Sequence, residues 1–295
     1  MTNHKSLFLF ILTLGLVGLF IGCETQPTEL EKYHPQAQLT CFLFNGQPVH
    51  EAWLERVASI YGPYHTTDHG ILHADIRIFG GGDTLTLVDD PNKHGRYIPA
   101  NGQTLVPRGK IHYRIEAVVP DGEFLWAETV VPDTFAFVDI YLLLEDGTRQ
   151  PVNDGDTLTR LDPNMFWEWN SVDSAGGYNG MIVALTPRDS LVPLDPDWDA
   201  AEDSLEEAER TRAGFTVMRS DQKIITIPWI FFQWAGPQRV ELQAISRDYY
   251  DYLFTSFRVQ QGLIAEPQWN MHGGIGIFSG MSRYAITVVM KKVTM

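Results

Sequence analysis

Cysteine is nearly absent from this chain: its 295 residues hold two, Cys23 and Cys41. A disulfide framework is therefore excluded as the source of stability. Positive charge is also scarce, with 22 lysines and arginines against 37 acidic residues and a net charge of −15. Such a chain repels polyphosphate, which argues against nucleic-acid partners. Its longest apolar run, Leu7 to Ile21, falls short of the roughly 20 residues that a membrane-spanning helix needs. No Gly-x-Ser-x-Gly elbow occurs, and nothing orders the serines, histidines and carboxylates into a triad. Internal repeats and low-complexity segments are absent too.

What is present begins at the N-terminus. His4 and Lys5 precede the apolar run, which ends in Leu19-Phe20-Ile21-Gly22-Cys23. A basic start, a short apolar stretch, a small residue and a cysteine read as a bacterial lipoprotein signal. Cleavage before Cys23 would follow lipid attachment to its sulfur, with further acylation (palmitate) completing the anchor. Acyl chains contribute about 0.8 kcal/mol per buried methylene, so two or three hold a protein stably. Glu24 to Gln38 is polar, carries Pro27 and Pro35, and reads as a tether reaching at most about 50 Å. With Cys23 assigned to lipid, Cys41 has no partner. It lies in Leu39-Thr40-Cys41-Phe42-Leu43-Phe44, and is read as a small buried hydrophobe.

The remaining sequence is 12% aromatic and 44% hydrophobic over the whole chain, enough for a packed core. From Leu39 to Val131 the dominant period is two. Ala74, Ile76 and Ile78 alternate with Asp75 and Arg77; Ile111, Tyr113, Ile115, Ala117 and Val119 alternate with His112, Arg114 and Glu116. These predict half-buried antiparallel strands, separated by turns at Asn45-Gly46, Gly80-Gly81-Gly82-Asp83, Asn101-Gly102 and Pro120-Asp121-Gly122. Val49 to Tyr61 suits a helical turn or a strand; its hairpin-like punctuation favours the strand.

Pro132-Asp133 marks a junction. Strands follow at 138–144, 165–169, 178–185, 223–234, 239–246 and 283–291. Arg247 to Val259 suits either a helix or a strand. One helix is signalled by Asp195 as cap, Pro196 at the first position, and Trp198, Ala201, Leu205 and Ala208 at helical spacing. The aromatic strand Met165–Trp169 and the strand opening at Tyr178 resemble the Trp-to-Tyr stretch of fibronectin type III-like domains. The expected fold is mainly β, with two β-sandwich (immunoglobulin/fibronectin type III-like) domains and one helix inserted in the second. The expected organisation is a signal peptide (1–22), a tether (23–38), an N-terminal β-sandwich (39–132), and a C-terminal β-sandwich-like domain (133–295) with a helical insertion near 195–213.

Several segments together resemble an uncharacterised family of bacterial outer-membrane lipoproteins that carry a domain of unknown function and are often encoded beside TonB-dependent receptors. The matching stretches are Gly70 to Ile78, Tyr113-Arg114-Ile115, Asp121-Gly122-Glu123, Ala127 to Pro132, Tyr249 to Tyr252 and His272 to Phe278. The resemblance implies a lipid-anchored protein of the outer membrane, facing the periplasm or the cell surface. It brings no catalytic residues and no cofactor.

The candidate sites are few. His65, His69 and His73 are spaced by four around Asp68; imidazoles with a carboxylate suit zinc, but Gly62, Pro63 and Gly70 argue against the helix that would align them. A polar loop is the default reading. Gly273-Gly274-Ile275-Gly276 lacks the Lys-Ser/Thr of a phosphate loop and points to close backbone packing or a bulge. Trp167, Trp169, Trp229, Trp234 and Trp269, with Tyr249, Tyr250 and Tyr252, are expected mostly in the core, with one or two on an exposed patch. The leading expectation is a non-enzymatic accessory or binding subunit of an outer-membrane receptor or transport complex. The alternatives are a surface glycan- or ligand-binding lipoprotein, and a metal-dependent hydrolase using His65, His69 and His73.

Overall fold

The computed structural model describes residues 35–57, 69–187, 190–194, 213–264 and 266–293. Cys23, His65, most of the tether and the predicted helix from Asp195 to Arg212 lie outside them.

The first seven strands are β1 (Ala37–Phe44), β2 (Ala52–Arg56), β3 (Asp75–Gly80), β4 (Asp83–Asp89), β5 (Arg96–Pro99), β6 (His112–Val118) and β7 (Phe124–Val130). Each carries out the alternation of its sequence. In β1, Ala37, Leu39, Cys41 and Leu43 are buried, while Gln38, Thr40, Phe42 and Phe44 face outward. The ambiguous stretch after Val49 is a strand, β2, antiparallel to β1 with Trp53 opposite Thr40. Between β3 and β4, Gly81 (φ 64°) and Gly82 (φ 91°) make the left-handed turn that a side chain would strain.

The second half adds β8 (Val138–Leu143), β9 (Arg149–Pro151), β10 (Thr157–Leu158), β11 (Met165–Trp169), β12 (Gly177–Ala184), β13 (Ala213–Arg219), β14 (Ile224–Ile227), β15 (Gly236–Ile245) and β16 (Ile275–Met290). The stretch whose period was ambiguous is a helix, α1 (Arg247–Gln260). Its start is fixed by Ser246, whose hydroxyl accepts the Tyr249 N–H at 3.4 Å, and Asp248 sits in the positive first turn.

These strands form a twelve-stranded sheet, ordered β13-β12-β15-β16-β1-β2-β5-β4-β3-β6-β7 with β10 on the flank of β16, and a four-stranded sheet, β14-β11-β8-β9. The large sheet serves two cores. Its β16-to-β7 half curls until β7 returns beside β16. Trp126 and His272 exchange backbone hydrogen bonds (3.1 and 2.8 Å), and the Gly280 N–H donates to Thr129 Oγ1 at 3.0 Å. Asn270 holds the seam from β16's side, accepting from Phe278 N–H and donating to Phe278 O and Glu128 O. The first core fills this curl with Leu39, Leu54, Ile76, Ile78, Leu85, Ile115, Leu125 and Phe278.

The second core lies between the other half of the large sheet and the small sheet. Trp169 of β11 meets Tyr178 of β12 edge-on at a ring separation of 5.2 Å, and Trp167 lies in the same core. A Cβ at Gly180 would sit 2.6 Å from the Trp167 ring, so glycine makes room for the indole. The Tyr178 hydroxyl accepts the Val172 N–H at 3.0 Å. The fold is thus mainly β and sandwich-like, with one α-helix among the described residues.

The 16-residue β16 joins the two cores. Its first half pairs in parallel with β1, from Gln38–Ile275 to Phe44–Met281. Its second half pairs antiparallel with β15. Phe278 enters the first core, while Ile286, Val288 and Met290 enter the second. The core therefore changes at Pro132, yet the C-terminal strand belongs to both halves. The glycines ahead of it allow close backbone approach: a Cβ at Gly276 (φ 124°) would collide with the Leu39 carbonyl, and one at Gly273 (φ 79°) with that of Phe124.

Candidate functional site

The outward face of β1 breaks the rule its inward face obeys. Two of its solvent-side positions carry phenylalanine, Phe42 and Phe44, both only half-buried. After the turn at Asn45-Gly46, His50 and Glu51 lead into β2, where Trp53 faces the same way. Thr40, Phe42, Phe44, His50, Glu51 and Trp53 line a trough of about 280 Å³. That volume suits one large side chain or one small ring, below the size of a typical drug site.

Its charges are ordered. Glu51 accepts from Trp53 Nε1 at 3.1 Å and from Arg96 Nε at 2.6 Å. Arg96 also reaches Asp90 Oδ2 at 3.0 Å. The Asp90 carboxyl is held below the usual carboxylate range by the Asn92 backbone N–H first, with the Asn92 side chain and Arg96 adding to it. Two cations cover aromatic faces: Lys93 Nζ lies 4.5 Å from the Trp53 ring and the Arg283 guanidinium 4.8 Å from that of Phe44. Arg283 is steered there by Gln47, whose Oε1 accepts from it at 2.6 Å. The rim thus adds Lys93 and Arg283 to a chain of strong negative charge.

Behind the trough, Phe42 packs 5.1 Å from Tyr249 on α1, followed by Tyr252 and Trp269 at ring separations of 6.1 and 5.3 Å. Burial pushes the Tyr249 phenol up to about 12, with the neighbouring Tyr252 adding to it. Burial also pushes the Cys41 thiol up to about 12, with the Glu51 charge adding to it. Its sulfur donates to the Glu51 carbonyl at 3.5 Å. A thiol so disposed is no nucleophile at neutral pH. The trough can hold an apolar or aromatic group by contact and stacking, and its rim favours a group that also bears negative charge.

A second cleft of about 280 Å³ lies where the two halves meet, lined by Lys110, His112, Val130, Ser174, Ser246, Arg247 and Asp248. Lys110 bridges Asp133 (3.0 Å) and Asp173 (2.9 Å), tying the first half to the junction and to the second half. Burial raises the Asp248 carboxyl, and the nearby Asp251 charge adds to the shift. This cleft is polar and built around its own ion pairs.

The histidines singled out in the sequence fare differently. The His69 carbonyl accepts the Arg56 N–H at 2.7 Å. His73 is exposed, with φ 60°, and faces Asp89: Nδ1 lies 3.0 Å from Oδ2, and its backbone N–H reaches both carboxylate oxygens. Among the described residues no three His, Cys, Asp or Glu side chains are grouped to hold a metal ion. Of the aromatics, Trp167, Trp169 and Trp234 are buried, while Trp229, Trp269, Tyr249, Tyr250 and Tyr252 are half-buried. The trough's own rings were not singled out. The signal that would have found them is a pair of phenylalanines on the polar side of an alternating strand.

No curated protein matches the chain. Among solved structures, the FN1–FN3 domains of chicken CNTN1 are similar at 14% identity with a TM-score of 0.23, over 72% of this chain and 59% of that one. The chain thus spans less than two thirds of that structure's length. Residues 24–286 match the family described as Domain of unknown function (DUF4249), and with nearly the whole chain covered by that match, the protein belongs to this family.

Proposed function

We propose that this protein is a non-enzymatic accessory or binding subunit of an outer-membrane receptor or transport complex, anchored by acyl chains on Cys23. The observation that carries the reading is the trough on β1 and β2. It leaves Phe42, Phe44 and Trp53 half-buried on the outward face and sets Lys93 and Arg283 over two of the rings. An apolar side chain of a partner segment, flanked by carboxylates, fits this surface in size and charge. Supporting it are the apolar leader ending in Gly22-Cys23 and the polar stretch Glu24–Gln36, two residues shorter than the expected tether because β1 already begins at Ala37, which would give the body reach from the membrane. Among the described residues no helix is long and apolar enough to cross a membrane.

Mild crosslinking followed by affinity purification from detergent-solubilised native membranes tests the reading. A defined outer-membrane protein should co-purify, and Trp53→Ala with Phe44→Ala should deplete it at least about tenfold, the effect of losing central aromatic anchors. Recovery of the protein alone would overturn it.

A second reading is favoured by the pairing of Trp53 with Glu51, because an indole beside a carboxylate can stack on a sugar ring and accept its hydroxyls. Glycan-array binding that is lost in Trp53→Ala would support it; an array without hits would remove it.

A further inference from the structure

The end of the second sandwich, at the C-terminus of β16, is built unlike the rest of the surface. β10 runs beside the last residues of β16, and the Lys291 N–H donates to Leu158 O at 2.8 Å. Just beyond, Thr159 and Asp162 close a turn: the Thr159 N–H and hydroxyl donate to Asp162 Oδ2 at 2.5 and 3.1 Å. This turn is fastened to a short 3₁₀ turn, Trp229–Phe231. Trp229 Nε1 donates to Asp162 O at 3.0 Å, and Arg160 donates to Phe232 O through Nε and Nη2, at 3.2 and 2.8 Å. The two fastened turns hold out Leu161 and Ile230, 71% and 70% exposed, the most exposed large apolar side chains among the described residues.

Beside them is Trp229, half-buried with its indole N–H already satisfied, and Val293, 39% exposed, follows three residues after the end of β16. Lys291 and Lys292 are exposed, and neither is ion-paired among the described residues. Aliphatic side chains on a rigid projection, an amphipathic tryptophan beside them and exposed lysines at the rim suit an interfacial membrane contact. We propose that this end is a membrane-contact tip. Leu161 and Ile230 enter the boundary between headgroups and acyl chains, Trp229 lies at headgroup level, and Lys291 and Lys292 meet lipid phosphates. A projecting tip fits the yielding surface of a bilayer better than the face of a rigid protein.

The charge match is local. The chain as a whole carries a net charge of −15. The lysines therefore attract headgroups only at contact range, within a Debye length of about 8 Å at physiological salt. The tip also lies far from the chain's entry. Ala37 starts beside the first residues of β16, and the 16 residues of that strand span about 50 Å. A chain held at its N-terminus and seated at this tip would lie along the membrane.

The test uses the chain from residue 23, with Cys23→Ser and an N-terminal hexahistidine bound to nickel-chelating lipid, so that it does not depend on acylation. Vesicles of phosphatidylethanolamine and phosphatidylglycerol carry a nitroxide on the acyl chain. A fluorophore is placed at Leu161→Cys, where it is the one reactive thiol because Cys41 is buried with its thiol pushed up to about 12. A second preparation carries it at Arg149→Cys on the exposed strand β9. Quenching should be several-fold stronger at 161 than at 149, and Ile230→Asp, or Lys291→Glu with Lys292→Glu, should bring it down to the level at 149. These residues are exposed, so tryptophan fluorescence should report an unchanged core. Equal quenching at the two positions, or quenching indifferent to Ile230→Asp, would overturn the proposal. So would shielding of the 161 fluorophore that appears only when solubilised membrane proteins are added, which would make the tip a protein-docking surface.

Discussion

The first core is mostly aliphatic, with Leu39, Leu54, Ile76 and Ile115 beside the rings of Tyr97, Tyr113 and Phe278 but no indole, enclosed by one sheet that curls around them. The second places Trp167, Trp169, Tyr178 and Met218 between two separate sheets. The alternation along the strands is the same in both, and closure is what differs. A sheet rolled on itself leaves a narrow interior filled mainly by branched aliphatics and single rings, whereas two facing sheets stand about 10 Å apart and accept indoles. The two solutions share β16, so the protein joins them by continuing a strand as well as by the segment between β7 and β8.

The strongest test of that comparison is Phe278→Ala. It empties a site in the first core and should cost about 3–5 kcal/mol. If the shared strand couples the cores, near-ultraviolet circular dichroism from Trp167 and Trp169 will lose its signal at the same lowered temperature as the far-ultraviolet signal. Two separate transitions would show that the halves melt independently. Gly180→Ala attacks the second core alone by driving a methyl into the Trp167 ring, and should cost roughly 1–3 kcal/mol in urea titrations. Tyr97→Phe probes the first core: its hydroxyl accepts the Ala74 N–H at 3.0 Å and donates to Ile71 O at 2.9 Å. Losing both should cost about 1–2 kcal/mol, seen as a lower denaturation midpoint at constant slope.

The smallest effect is expected at the junction, from Lys110→Met. Lys110 is the first cause that holds the Asp133 carboxyl below its usual range, and Asp173 then Asp133 hold the Lys110 ammonium above its own. The depressed carboxyl contributes stability above its unfolded value of about 4. That contribution is lost as pH falls through the lower folded value. The raised ammonium contributes below its unfolded value of about 10.4 and loses this as pH rises through the higher folded one. Wild type should therefore melt slightly above the variant near neutrality, with the gap closing in acid. Melting scans across pH check this, and a gap that persists once the carboxylates are protonated would show that Lys110 acts by packing instead.

Much of the architecture was legible because strand periodicity is local. The inward residues of β1, β3 and β6 follow from alternation, and the Trp-to-Tyr stretch does put Trp169 against Tyr178. Closure of the curl was not legible. It rests on His272 meeting Trp126 and on Asn270 reaching Glu128, contacts between residues more than a hundred positions apart. The helix α1 stayed ambiguous because its aromatics suit either period, although Ser246 and Asp248 are start signals. The trough was hidden for a related reason. Phe42, Phe44 and Trp53 acquire meaning only when the Asn45-Gly46 turn folds β2 against β1. At the tip, Leu161 and Ile230 are single apolar residues in separate loops, and only the bonds from Trp229 and Arg160 make them neighbours.

The parallel pairing of β1 with β16 has a mechanical consequence. The two strands run in the same direction through seven registered residue pairs, with β1 entering where β16 begins. A pull on the chain ahead of Ala37, resisted at the far end of β16, loads all seven pairs together in shear instead of peeling them one at a time. Force spectroscopy along that axis should give a high rupture force, and pulling across the strands a low one. Under the proposed anchoring through Cys23, the joint that unites the two cores is also the one that would bear the load.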